Sequence, residues 1–172
     1  MVDMFMWKDD NKYMQQVAEC WCGGRPLEAG QRIFERLPNE IRPKWASRIL
    51  RLVIEKAEIR CAVFDQVLRT SDNRAFWANG HHVFSIVRAE TLNLDEKRRT
   101  TGLSDEEDTL ACILAIGELV AKVTYNATSP TDEFDEDSGW WIAASLRGFV
   151  EHLWKDEEFS KAAWLALCCK DG

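Results

Sequence analysis

The densest chemistry in the chain lies at Asp132, Glu133, Asp135, Glu136 and Asp137, five carboxylates within six residues, followed directly by Ser138, Gly139, Trp140 and Trp141. Carboxylates packed this closely repel one another, so the segment requires a cation, a basic partner or free water around it. A calcium EF-hand loop needs acids at its first, third and fifth positions, glycine at the sixth and glutamate at the twelfth. Counted from Glu133, the three acids fall correctly, but the sixth position is Ser138 and the twelfth is Ala144. The turn and the bidentate ligand both fail, which excludes an EF-hand. Three readings are left: a looser cation site, a solvated loop whose acids favour the N-terminus of a following helix, and a surface for a basic protein partner.

The two tryptophans sharpen the third reading. Neighbours on a helix are about 100° apart, so Trp140 and Trp141 cannot both lie centrally on one stripe. One is expected to pack inward while the other shields a loop or meets a partner, a role for which tryptophan is enriched. Eight tryptophans in 172 residues is a high count, and a multi-helix core absorbs most of them. The partner surface expected from the sequence is therefore Asp132, Glu133, Asp135, Glu136, Asp137, Trp140 and Trp141.

Other chemistries find less. Structural zinc favours paired C-x-x-C or H-x(3–5)-H spacings. The chain offers Cys20 and Cys22 around Trp21, adjacent Cys168 and Cys169, adjacent His81 and His82, and His152. These spacings favour buried apolar cysteines over a metal centre, so no metal ligand and no cofactor is assigned. A thiol-ligated metal or redox protein stays as an alternative if Cys22, Cys168 and a histidine converge. No G-x-S-x-G, Walker A, G-x-G-x-x-G or H-E-x-x-H motif is present. Carboxylates borne on helices leave one enzymatic alternative, a divalent-metal-dependent hydrolase of a small phosphorylated compound. The acids Asp105, Glu106, Glu107 and Asp108 do not complete the E-E-x-x-E pattern of all-helical nucleotide pyrophosphohydrolases, because the third position is Leu110. Glu118, alone in an apolar stretch, is expected to face Arg88 or Arg147 in a buried ion pair.

The elements that must position these residues read as helices almost throughout. Tyr13, Val17 and Cys20 form a stripe that Gly23-Gly24 stops. Pro26 opens a second helix, with Leu27, Ile33, Phe34 and Leu37 as its stripe, and Pro38 ends it. Pro43 opens a long pattern read as one helix to Thr70, because nothing near Glu58-Ile59 resembles a turn. Ser71 to Asn73 offers a cap, a short helical stretch reaches Gly80, and a further helix runs from His81 to about Leu92. Residues 94–102 read as a charged connecting loop. Ser104 and Glu107 make a capping box for a helix reaching about Tyr125, whose apolar circumference marks it as central. Residues 126–138 are the longest loop. Ser138 caps the next helix, and a final one follows from Asp156.

The whole is expected to be all-α, a single-domain irregular bundle of about six to eight helices over residues 1–172. Composition agrees: 46% hydrophobic and 30% charged residues exclude a disordered chain. The longest uncharged stretch, residues 75–87, is too short and too polar to span a bilayer. Residues 1–86 hold 13 basic and 11 acidic residues, whereas residues 87–172 hold 9 and 18. The strongly acidic second half disfavours nucleic acid and anionic membranes and suits a basic protein surface. The absence of a signal-like start and the unpaired placement of six cysteines point to a reducing cytoplasm. The function expected from these readings is a non-catalytic protein-interaction module.

Overall fold

The computed structural model describes residues 11–128 and 137–168. Among them are eight α-helices and no β-strand. The fold is an all-α irregular bundle. Helix α1 (Asn11–Cys22) stops where Gly24 takes a φ of +74°, a left-handed cap that glycine adopts freely. Helices α2 (Pro26–Arg36) and α3 (Arg42–Ala57) both carry proline in the first turn, where a missing N–H breaks no hydrogen bond. Helix α4 (Ala62–Asp72) leads through a 3-10 turn (Arg74–Asn79) into α5 (Gly80–Thr100). Helix α6 (Asp105–Asn126) begins at the expected capping box, with Ser104 accepting from the Glu107 N–H and Glu107 accepting from the Ser104 N–H. Helix α7 (Ser138–Gly148) runs into a π turn (Phe149–Leu153), and α8 (Glu157–Cys168) closes the described chain.

Three boundaries differ from the sequence reading. The helix expected from Pro43 to Thr70 is two helices. Glu58 turns the chain with a φ of 55° and a ψ of 24°, the conformation usually given to glycine. Residues 94–100, expected as loop, continue α5 because their charges pair along and across helices. Arg98 bridges Asp95 at 3.0 Å and Asp108 of α6 at 3.1 Å, while Lys97 pairs with Glu107. Ser138 is not a cap. It is buried as the first residue of α7, and Asp137 occupies the capping position without a side-chain bond to the helix backbone.

Helix α6 is the axis of the bundle, as its apolar circumference implies. It packs against α3, α4, α5 and α7 and buries Ile113, Leu114, Ile116 and Val120. The closest approach elsewhere joins α2 to α7. A Cβ on Gly30 would stand 2.6 Å from Ala143 Cβ and 2.9 Å from the Trp140 carbonyl oxygen, and one on Gly139 would enter the Phe34 ring. Two glycines, one on each helix, therefore set where α7 lies. At the far end α8 is fastened to α3: the buried Trp45 indole N–H donates to the Leu167 carbonyl at 2.9 Å.

Candidate functional site

Of the residues expected to form the partner surface, Asp132, Glu133, Asp135 and Glu136 lie outside the described residues. Asp137, Trp140 and Trp141 are described, and α7 positions all three. Trp140 is half-buried against the core beside the α2 contact. Trp141 turns outward, 47% exposed, and its indole N–H donates to the Asp137 carboxylate at 3.0 Å. The pair thus divides between inside and outside as their 100° separation requires. That hydrogen bond satisfies the indole's one polar group while the ring stays half in solvent.

The face of α7 that carries Trp141 continues into a cleft. Ser145, Gly148, Phe149, His152 and Leu153 follow Trp141 at helical spacing, and the last five line a cavity of about 640 Å³ between α7 and α6. The opposite wall is the stripe Asp105, Asp108, Thr109, Cys112 and Ala115 of α6. The π turn at the end of α7 is closed by the Trp154 N–H donating to the Phe149 carbonyl at 2.8 Å. Leu153 within that turn is 46% exposed. Such wide turns recur at functional sites. Sequence reasoning missed this cleft, because its two walls are 30 or more residues apart and each looks like an ordinary helix surface. The unsignalled clue was Gly148, a glycine inside a helical pattern.

Four side chains of the cleft are titratable: Asp105, Asp108, Cys112 and His152. Cys112 is exposed, and so is Cys22, contrary to the burial expected of it; Cys20 and Cys168 are buried as expected. Partial burial, and then the neighbouring Asp108 carboxylate, push the Cys112 thiol above its ordinary range, which keeps it protonated and weakens it as a nucleophile. His152 lies on the same cleft, but its contact is with Glu151 at 3.8 Å rather than with the thiol. Asp108 is already paired with Arg98. Glu118 meets Arg88 at 3.4 Å, one of the two partners expected, with the acid 12% and the arginine 50% exposed. Arg147 instead pairs with Glu151 at 2.8 Å and covers the Trp21 ring. Among the described residues, no three of His, Cys, Asp and Glu converge as metal ligands. A second hollow, of about 460 Å³, opens at the α3–α4 break around Arg60, Cys61 and Asp65.

Comparison with protein-family models, with curated proteins and with solved structures finds no significant match to this chain.

Proposed function

We propose that this protein is a non-catalytic interaction module that binds a basic protein surface through the acidic stretch 132–137 and the adjoining face of α7. The observation that carries the reading is Trp141, a large apolar side chain left half in solvent and braced by Asp137 at the end of five carboxylates. Desolvated aromatics supply binding energy, and a dense carboxylate cluster selects a cationic partner and speeds its encounter. The protonated, unactivated Cys112 and the absence of a converging ligand set among the described residues give the hydrolase and thiol–metal readings no comparable support. No helix among the described residues is long and apolar enough to cross a membrane. Cys20, Cys22, Cys61 and Cys112 are free thiols, which suit a reducing compartment, and we place the module in the cytoplasm on that ground.

The test is partner recovery. Pull-down with the wild-type chain and with Asp135→Lys/Asp137→Lys should differ: the wild type should retain basic proteins that elute as salt is raised, and the reversed variant should lose them. Equal recovery by both chains would remove the acidic stretch from the interface. Trp141→Ala should lower recovery without shifting the helical circular-dichroism signal, because the ring leaves the core undisturbed.

A further inference from the structure

We infer that the hollow at the α3–α4 corner is a binding site for a small zwitterion with an apolar body, either a free aliphatic amino acid or a short apolar peptide with both ends free. The inference goes beyond the interaction-module reading and draws on none of its residues. The hollow measures about 460 Å³, within the range of roughly 300–1,000 Å³ that small-molecule sites occupy. It exists because the chain turns at Glu58, whose left-handed backbone ends α3, and then runs through Ile59, Arg60 and Cys61 before α4 begins.

The floor of the hollow is apolar. Ile54 of α3, Ile59 of the link and Leu68 of α4 are half-buried and pack against the core, and Phe64 is buried. An aliphatic group laid on this floor leaves water, which favours binding in proportion to the apolar area covered.

Two opposite charges select the occupant. Arg60 and Asp65, both exposed, line the hollow, yet they form no ion pair with each other or with any other described residue. Neighbouring charges on the same two helices are paired: Lys56 of α3 meets Asp156 at 2.7 Å, and Asp72 of α4 meets Arg51. An uncommitted cation and an uncommitted anion over one apolar floor are what a zwitterion completes. Its carboxylate takes the Arg60 guanidinium, whose fork of N–H donors matches two oxygens. Its ammonium takes the Asp65 carboxylate, and its aliphatic part takes the floor. A ligand with a single charge gains from one of the two residues and is repelled by the other, so the pair selects against simple amines and simple acids.

Titration calorimetry of the full chain with L-leucine, leucyl-leucine, leucinamide, N-acetyl-leucine and glycine tests each part. Leucinamide lacks the carboxylate, N-acetyl-leucine lacks the ammonium, and glycine lacks the apolar body. L-leucine or leucyl-leucine should bind at least tenfold more tightly than all three, and the tighter of the two names the source, a free amino acid or a short peptide. Arg60→Gln should weaken that ligand about tenfold and abolish the preference over leucinamide. Asp65→Asn should weaken it similarly and abolish the preference over N-acetyl-leucine, an exchange of preferences that a merely structural role would not produce. Asp65 also lies in the first turn of α4, so if its variant lowers the urea midpoint, Arg60→Gln in the link decides alone. Cys61 lines the same hollow, and the bound ligand should slow its alkylation at least threefold while leaving the exposed Cys22 and Cys112 unaffected. Absence of saturable binding by either zwitterion, equal binding of any of the three controls, wild-type affinity in Arg60→Gln, or an unprotected Cys61 overturns the site.

Discussion

At the scale of single residues, the glycines divide by what surrounds them. Gly30 admits α7 so closely that a methyl group there must displace Ala143 or the Trp140 backbone. Gly30→Ala should therefore destabilise the protein by about 1–3 kcal/mol, the usual effect of overpacking, as read from the urea midpoint. Gly148→Ala should do the opposite. Its new methyl meets open space, and the helix loses a flexible residue, so stability should rise by about 0.5–1 kcal/mol. The same chemistry in one helical fold, with opposite signs, is a strict check on where the backbones approach. Cys112 offers a second check. Its thiol is held protonated by partial burial and then by Asp108, so fewer thiolates are present at a given pH than for a free cysteine. Alkylation of Cys112 by iodoacetamide at pH 8, followed by peptide mass mapping, should run slower than that of free cysteine. A rate equal to or above the free value would restore Cys112 as a candidate nucleophile.

At the scale of the element, the sequence is most readable where a helix end has its own chemistry. The capping box at Ser104 and Glu107, proline in the first turns of α2 and α3, and the glycine stop after α1 are local signals. The break at Glu58 carried none, because a glutamate takes the left-handed conformation that a reader assigns to glycine. That conformation costs an L-residue about 1–2 kcal/mol, so Glu58→Gly should stabilise the protein by about 1 kcal/mol and Glu58→Val should weaken it. The extension of α5 to Thr100 was hidden for a related reason. Arg98, Lys97 and their acids look like loop polarity in one dimension and like paired helix faces in three. Glu107 also gives α6 a pH dependence. Its hydrogen bond with Lys97, and then the Ser104 backbone N–H, hold its carboxyl below the usual range. A carboxyl lowered on folding contributes stability above its unfolded pKa and loses it as pH falls through the folded one. The stability gap between wild type and Glu107→Gln should thus be open near neutral pH and close toward pH 3.

At the scale of the molecule, the all-α class was legible in the apolar spacing, while the partnership of distant helices was not. Nothing in the sequence pairs Gly30 with Ala143, or Trp45 with Leu167, and those two contacts place α7 and α8. The α6–α7 cleft inherits that illegibility, since it exists only once the bundle has chosen its neighbours. The buried side chains form one continuous cluster with members from all eight helices, from Tyr13 to Cys168. A core without a seam has no plane along which to come apart, so the chain should unfold as one cooperative unit. The eight tryptophans make this easy to see, because seven of them are spread from α1 to α8 among the described residues. Their fluorescence and the far-ultraviolet circular dichroism should trace the same urea transition. The anchor between α3 and α8 is where that unity is most exposed. Trp45→Phe removes the N–H that satisfies the Leu167 carbonyl, and a buried acceptor left alone costs about 1–3 kcal/mol. The whole transition should move to lower urea with its steepness kept. If instead fluorescence falls ahead of the helical signal in this variant, α8 releases on its own, and residues 157–168 are an appendage to the bundle rather than part of one folding unit.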